Sequence, residues 1–229
     1  MQKPNLPNEV KKTLTAILEG ARSPDEQGSP DAAVESPQAR KQRIRGLIQE
    51  QLSEVNAKCA VGIQALRDRD ETKQVNVFLK RVDKALKKQD WPALVTACTN
   101  EDFDKLQSVA LDTMQQTHLD DAEAIYTFLM CLRPMAPQSY VGLISVLWKR
   151  EGPKRAAEAY AAVLPRMQSP ALNFFAADCF VHAERQQDAQ DALISGLEIY
   201  GDRELEDEDD ITLRGEMQKY LEELKGSGG

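Results

Sequence analysis

Three stretches of this chain superimpose at a spacing of 34 and then 33 residues. Ala122, Ala156 and Ala189 share one register, Tyr126, Tyr160 and Leu193 follow four residues later, and Met114, Trp148 and Val181 sit eight residues earlier. A small residue, a large residue one helical turn on and a turn before both, recurring at this period, require a repeated unit of two antiparallel helices. One such unit cannot bury its apolar faces alone. Stacked units bury them together and leave a concave groove. The first functional inference is therefore recognition, not chemistry.

A chain of 229 residues holds one such array plus an appendage. No apolar run approaches the ~20 residues a membrane helix needs, so no membrane insertion is expected. The opening MQKPNLPNEVKK has no apolar core of a secretory leader. Cys59, Cys98, Cys131 and Cys179 lie 39, 33 and 48 apart, which matches neither a zinc pair nor a CxxC motif. Each falls in an apolar helical context and reads as reduced and packed. Charge is divided unevenly: residues 1–100 carry 17 Lys+Arg against 13 Asp+Glu, and residues 101–229 carry 12 against 24. An acidic array would repel phosphates, so nucleic acid is not its expected ligand.

Residues 1–37 offer one short apolar stripe (Leu14, Ile17, Leu18) and then a Pro-, Ser-, Gly- and acid-rich stretch, RSPDEQGSPDAAVESPQ. Such a composition buries too little surface to offset ordering, so a flexible segment is expected. Residues 38–99 read as a helical N-terminal extension. Ile44, Leu47, Ile48, Leu52, Val55, Cys59, Ile63 and Leu66 form a continuous helical stripe, and Val75, Phe78, Val82 and Leu86 form a second. Asp90 is a plausible cap for a short helix through Cys98, and Asn100 for the helix that begins EDFDKL. Residues 100–225 are the repeat domain, and 226–229 a flexible tail. Helix pairs are expected at about 102–117 and 120–133, 138–150 and 153–165, and 170–184 and 187–200. Leu213, Met217, Tyr220, Leu221 and Leu224 then mark a terminal capping helix. The fold class is all-α, with no strand signal.

The period is that of tetratricopeptide repeats, in which the first helix of each pair lines the concave face. Counting from the small positions Ala110, Ile144 and Ala177 turns Gln107, Leu111, Met114, Val141, Ser145, Trp148, Phe174, Asp178 and Val181 toward the groove. Some of these, Trp148 and Phe174 among them, equally fit inter-helix core. The lining is mostly apolar and lacks the Lys and Asn that would clamp an acidic carboxylate. It suits an extended peptide with apolar anchors.

Three passages resemble the SycD/LcrH-type class II chaperones of bacterial type III secretion: LDDAEAIYTFLMCL (119–132), SYVGLISVLWKREG (139–152) and SPALNFFAADCFVHAERQQDAQDAL (169–193). The third carries Pro170, Phe174, Ala176, Ala177, Asp178 and Cys179 at positions typical of that family. The resemblance covers about residues 100–225. It departs in the long basic N-terminal extension and in the spacing after Gly152, one residue short of the usual repeat. It implies a cytoplasmic bacterial chaperone that holds hydrophobic translocator proteins of a secretion system by an extended segment and keeps them soluble. It also implies dimerisation through N-terminal helices. The stripe from Ile44 to Leu66 must pack on the array, on the 75–88 helix or on another copy, and the resemblance favours another copy. The alternative reading is a generic repeat scaffold assembling a complex through the same groove.

Nothing suggests an enzyme. His118 and His182 lie in different repeats with no nucleophile at a telling distance, and no GxxxxGK[ST] or GxGxxG run occurs. The acidic run ELEDEDD lacks the alternating ligands and Gly of a calcium loop. Arg40, Lys41, Arg43 and Arg45 read as a solvated helix end. No cofactor or metal is expected.

Overall fold

The computed structural model describes residues 54, 57–69, 76–87, 98–201 and 204–226. Those residues are helical with short connections, and no strand occurs among them. The segments expected at residues 1–37, the stripe positions from Ile44 to Leu52 and Val55, the cap at Asp90 and the last three residues lie outside them. The helices are α1 (residues 57–69), α2 (Asn76–Lys87), α3 (Asn100–Gln115), α4 (Leu119–Leu132) and α5 (Pro137–Glu151). They continue with α6 (Pro153–Val163), a 3-10 turn (Leu164–Arg166), α7 (Pro170–His182), α8 (Gln186–Tyr200) and α9 (Glu208–Gly226). The chain divides into two compact units after Val146, inside α5.

In the N-terminal unit, α4 is the central element. It is buried from Ala124 through Leu132 without a polar stripe, so it must be covered on several sides. α3 packs against it. α1 lies so close that a Cβ on Gly62 would overlap the Ala124 carbonyl. Two ion pairs, Lys58–Glu123 and Arg69–Asp121, the latter at 2.6 Å, flank that approach. Cys59, Ile63 and Leu66, the described end of the long stripe, are buried there, within the chain itself. The Cys59 and Cys131 sulfurs lie 3.5 Å apart as free thiols. On α5, a Cβ at Gly142 would enter the ring of Tyr126, so the glycine is what lets that tyrosine seat.

The start of α3 corrects the expected cap. Thr99, not Asn100, caps the helix. Its hydroxyl accepts from the Asp102 amide at 3.1 Å, and its own amide donates to the Asp102 carboxylate at 3.0 Å. Only from position 99 does the third helical residue supply a carboxylate; from Asn100 it would be Phe103. Arg81 of α2 donates to the same carboxylate at 2.7 Å, tying α2 to this corner. Burial opposes ionisation of Asp102, but the bonds from Thr99 and the pairing with Arg81 outweigh it and hold the carboxyl below its ordinary 3.8.

In the C-terminal unit, α7 and α8 form the third helix pair, with α6 against α7 and α9 against α8. Ser169 caps α7 through the Leu172 amide, with Pro170 in the first turn. α9 closes the unit by burying Met217, Leu221 and Leu224. Tyr200 bonds Asp210 at 3.1 Å, and Gln186 reaches the Leu224 carbonyl at 3.0 Å.

The repeat register is visible in burial. Ala122, Ala156 and Ala189 are fully enclosed, and Tyr126, Tyr160 and Leu193 are buried beside them. Each pair also turns through a residue of positive φ: Thr117 at 66°, Gly152 at 92° and Glu184 at 63°. Thr117 and Glu184 stand five residues before their repeat alanine, whereas Gly152 stands four before Ala156. The short spacing in the middle repeat is absorbed at that turn.

Candidate peptide-binding surface

Eight of the nine expected groove residues lie at incompletely buried positions on three first helices, and Met114 is the exception. On α3, Leu111 is 44% exposed, while Met114 is 7% exposed and belongs to the packed interior. Met114 is thus corrected from groove to core: it lies beside Thr113 on the side of α3 that holds Phe103, Leu106 and Ala110. Gln107 is half-buried and donates to the Ser139 hydroxyl at 2.9 Å, which fixes its amide. On α5, Val141 and Ser145 are half-buried, and the Ser145 hydroxyl donates to the Val141 carbonyl at 2.8 Å. Ser145 therefore offers a partner its oxygen lone pairs, not its proton.

The C-terminal unit holds the most developed surface. After the first-turn Pro170, the residues of α7 left open by packing are Ala171, Phe174, Phe175, Asp178, Val181 and His182, and their spacing puts them on one face. The opposite face of the same helix carries the buried Leu172, Asn173, Ala176 and Phe180. Trp148 meets His182 edge-on at 5.0 Å between centroids. Phe174 meets Phe175 at 6.0 Å and Tyr220 of α9 at 6.3 Å, both edge-on. These contacts hold the aromatic rings in defined orientations while leaving one side of each open. His182 Nδ1 lies 2.9 Å from the Asp178 carbonyl oxygen and 3.6 Å from its carboxylate. Burial raises the Tyr220 pKa, helped by the charge of Asp178 and a hydrogen bond to it. Asp178 is therefore an anchored acceptor inside an aromatic field.

Phe175, His182 and Tyr220 join the surface without having been expected there. Phe175 and His182 were legible from the period of α7. Tyr220 was not, because its place depends on how α9 folds back.

Trp148 and Phe174 were open between groove and core. Both are half-buried, Trp148 against the His182 ring and Phe174 between those of Phe175 and Tyr220. Among the described residues, no cluster of three or more His, Cys, Asp or Glu is placed to hold a metal ion. No helix among them is long and apolar enough to cross a membrane.

The geometry defines a helical-repeat protein whose α7 carries a half-open apolar and aromatic face. No protein-family model and no curated protein matches the sequence. Among solved structures, the chain is similar to the type III secretion translocator chaperone SycD of Yersinia enterocolitica, with 17% identity over 60% of this chain and 95% of that one, at a TM-score of 0.45. It is similar to SycD in complex with a peptide of the translocator YopD, with 18% identity over 57% and 98%, at 0.44. It is also similar to PcrH of Pseudomonas aeruginosa, with 18% identity over 56% and 94%, at 0.44.

Proposed function

We propose that this chain is a non-enzymatic, cytoplasmic chaperone of a bacterial type III secretion system that holds hydrophobic translocator proteins in a soluble state. The observation that carries the reading is the open face of α7, where Phe174, Phe175 and Val181 surround the anchored Asp178, with Trp148 and Tyr220 beside it. An extended client segment would lay apolar anchors against Phe174, Val181 and Trp148. Its backbone amides would donate to Asp178, setting the register. The occupant is of the same class as the YopD peptide held by SycD. Shielding that segment removes the apolar surface through which a membrane-inserting client aggregates.

Co-expression with a translocator of the source bacterium tests the reading. The client should become soluble and co-purify with the wild-type chain, and Phe174→Asp should leave it insoluble. A translocator that stays insoluble with wild type, or equal rescue by the variant, would remove the reading and favour a generic scaffold.

A further inference from the structure

We propose a second binding site in the C-terminal unit, on the side of α7 away from the aromatic stripe, that takes a cationic and aliphatic peptide segment. A cleft of about 560 Å³ opens between α6 with its following 3-10 turn and α8. Its apolar lining is Leu164, Pro165, Ala192 and Ile199, and the buried Phe180 and Asn173 of α7 lie deepest. Its wall is a row on α8, where Asp188, Asp191, Ser195 and Glu198 follow one another at spacings of three, four and three residues. That spacing keeps all four on one helical face.

The charges on this wall are unequal in their pairing. Arg185 donates to Asp188 at 2.6 Å and lies 4.7 Å over the Phe180 ring. It is pinned there and neutralises only Asp188. Asp191 accepts a bond from the uncharged Gln187 amide at 2.9 Å. Among the described residues, neither Asp191 nor Glu198 has an ion-pair partner. Two carboxylates without an ion-pair partner thus stand two helical turns apart, about 10 Å, beside the apolar lining residues Leu164 and Ile199. A single inorganic cation would leave most of the cleft empty. An extended peptide advances about 3.3 Å per residue, so Lys or Arg at positions i and i+3 reaches both carboxylates while an aliphatic side chain between them meets Leu164 and Ile199. Charge complementarity therefore selects a basic, aliphatic segment of a partner protein and rejects an acidic one.

The test uses the full-length chain and two capped hexapeptides, Gly-Lys-Leu-Ile-Lys-Gly and its Glu-for-Lys counterpart. Amide chemical shifts followed by NMR during titration should move on α6 and α8 with the basic peptide and stay unchanged with the acidic one. The double variant Asp191→Asn/Glu198→Gln, whose side chains are exposed, should bind at least ten-fold more weakly with an unchanged circular dichroism spectrum. Phe174→Asp, on the other side of α7, should bind the basic peptide as wild type does. The site is wrong if the basic peptide gives no shifts at millimolar concentration, if the double variant binds equally, or if Phe174→Asp abolishes binding.

Discussion

At the residue scale, the corner formed by Thr99, Asp102 and Arg81 concentrates several functions in a few atoms. Thr99→Ala removes one partner of a reciprocal cap, and urea denaturation should show a loss of about 1 kcal/mol. Asp102 adds a pH dependence. Its folded pKa lies below the ordinary 3.8, so its stabilisation is complete above that value and is lost as pH falls through the folded value. Asp102→Asn should lower the urea midpoint at neutral pH and lessen the decline below pH 3.8; an acid limb identical to wild type would contradict this. The cysteines make a second residue-scale case. All four are free and buried. Burial pushes Cys98 up to about 11 and Cys179 up to about 12, and Cys59 is raised well above 9.0 by its hydrogen bond with Cys131 and by burial. The thiolate is the reactive form, so a disulfide reagent at neutral pH should label the native chain slowly and all four sites rapidly in denaturant. Rapid native labelling of any one would show that its helix opens.

At the scale of elements, α1 and α7 make opposite demands. α1 depends on backbone approach to α4 at Gly62, where the obstructing atom is the Ala124 carbonyl and cannot swing aside. Gly62→Ala should cost roughly 1–3 kcal/mol and raise hydrogen exchange in α1 and α4. Unchanged exchange would show that the two helices do not pack as described. On α7, Phe174 and Phe180 test the two faces of one helix. Phe174→Asp places a charge at an open position, and the melting temperature should change little. Phe180→Asp removes a buried ring from the packed face and should cost about 3–5 kcal/mol, as for a large-to-small core substitution. If both variants unfold, Phe174 returns to the core and leaves the proposed binding face.

At the scale of the whole molecule, the question is what the long N-terminal stripe covers. Its described end, Cys59 to Leu66, is buried against α4, so self-association would fall to the positions from Ile44 to Val55. Light scattering on full-length protein should give a dimer that Leu47→Asp/Leu52→Asp converts to a monomer. A wild-type monomer at micromolar concentration would end the dimer proposal.

The helical period alone determined the repeat boundaries to within a few residues, because a buried alanine with a large neighbour one turn on leaves a local signature. It also placed Val141, Ser145, Trp148, Phe174, Asp178 and Val181 on incompletely buried faces, since periodicity reports which side of a helix is apolar or open. Periodicity does not report what covers that side. Met114 shares the repeat position of Trp148 and Val181, yet packing encloses it. Thr117 and Glu184 turn the chain at positive φ without the glycine that marks Gly152, because the helices on either side dictate the connection. Tyr220 reaches Phe174 and Asp178 from a distant helix, and Gly62 admits the carbonyl of Ala124. Those contacts join residues far apart in sequence. They exist only once helices have packed, and so the tertiary structure alone decided them.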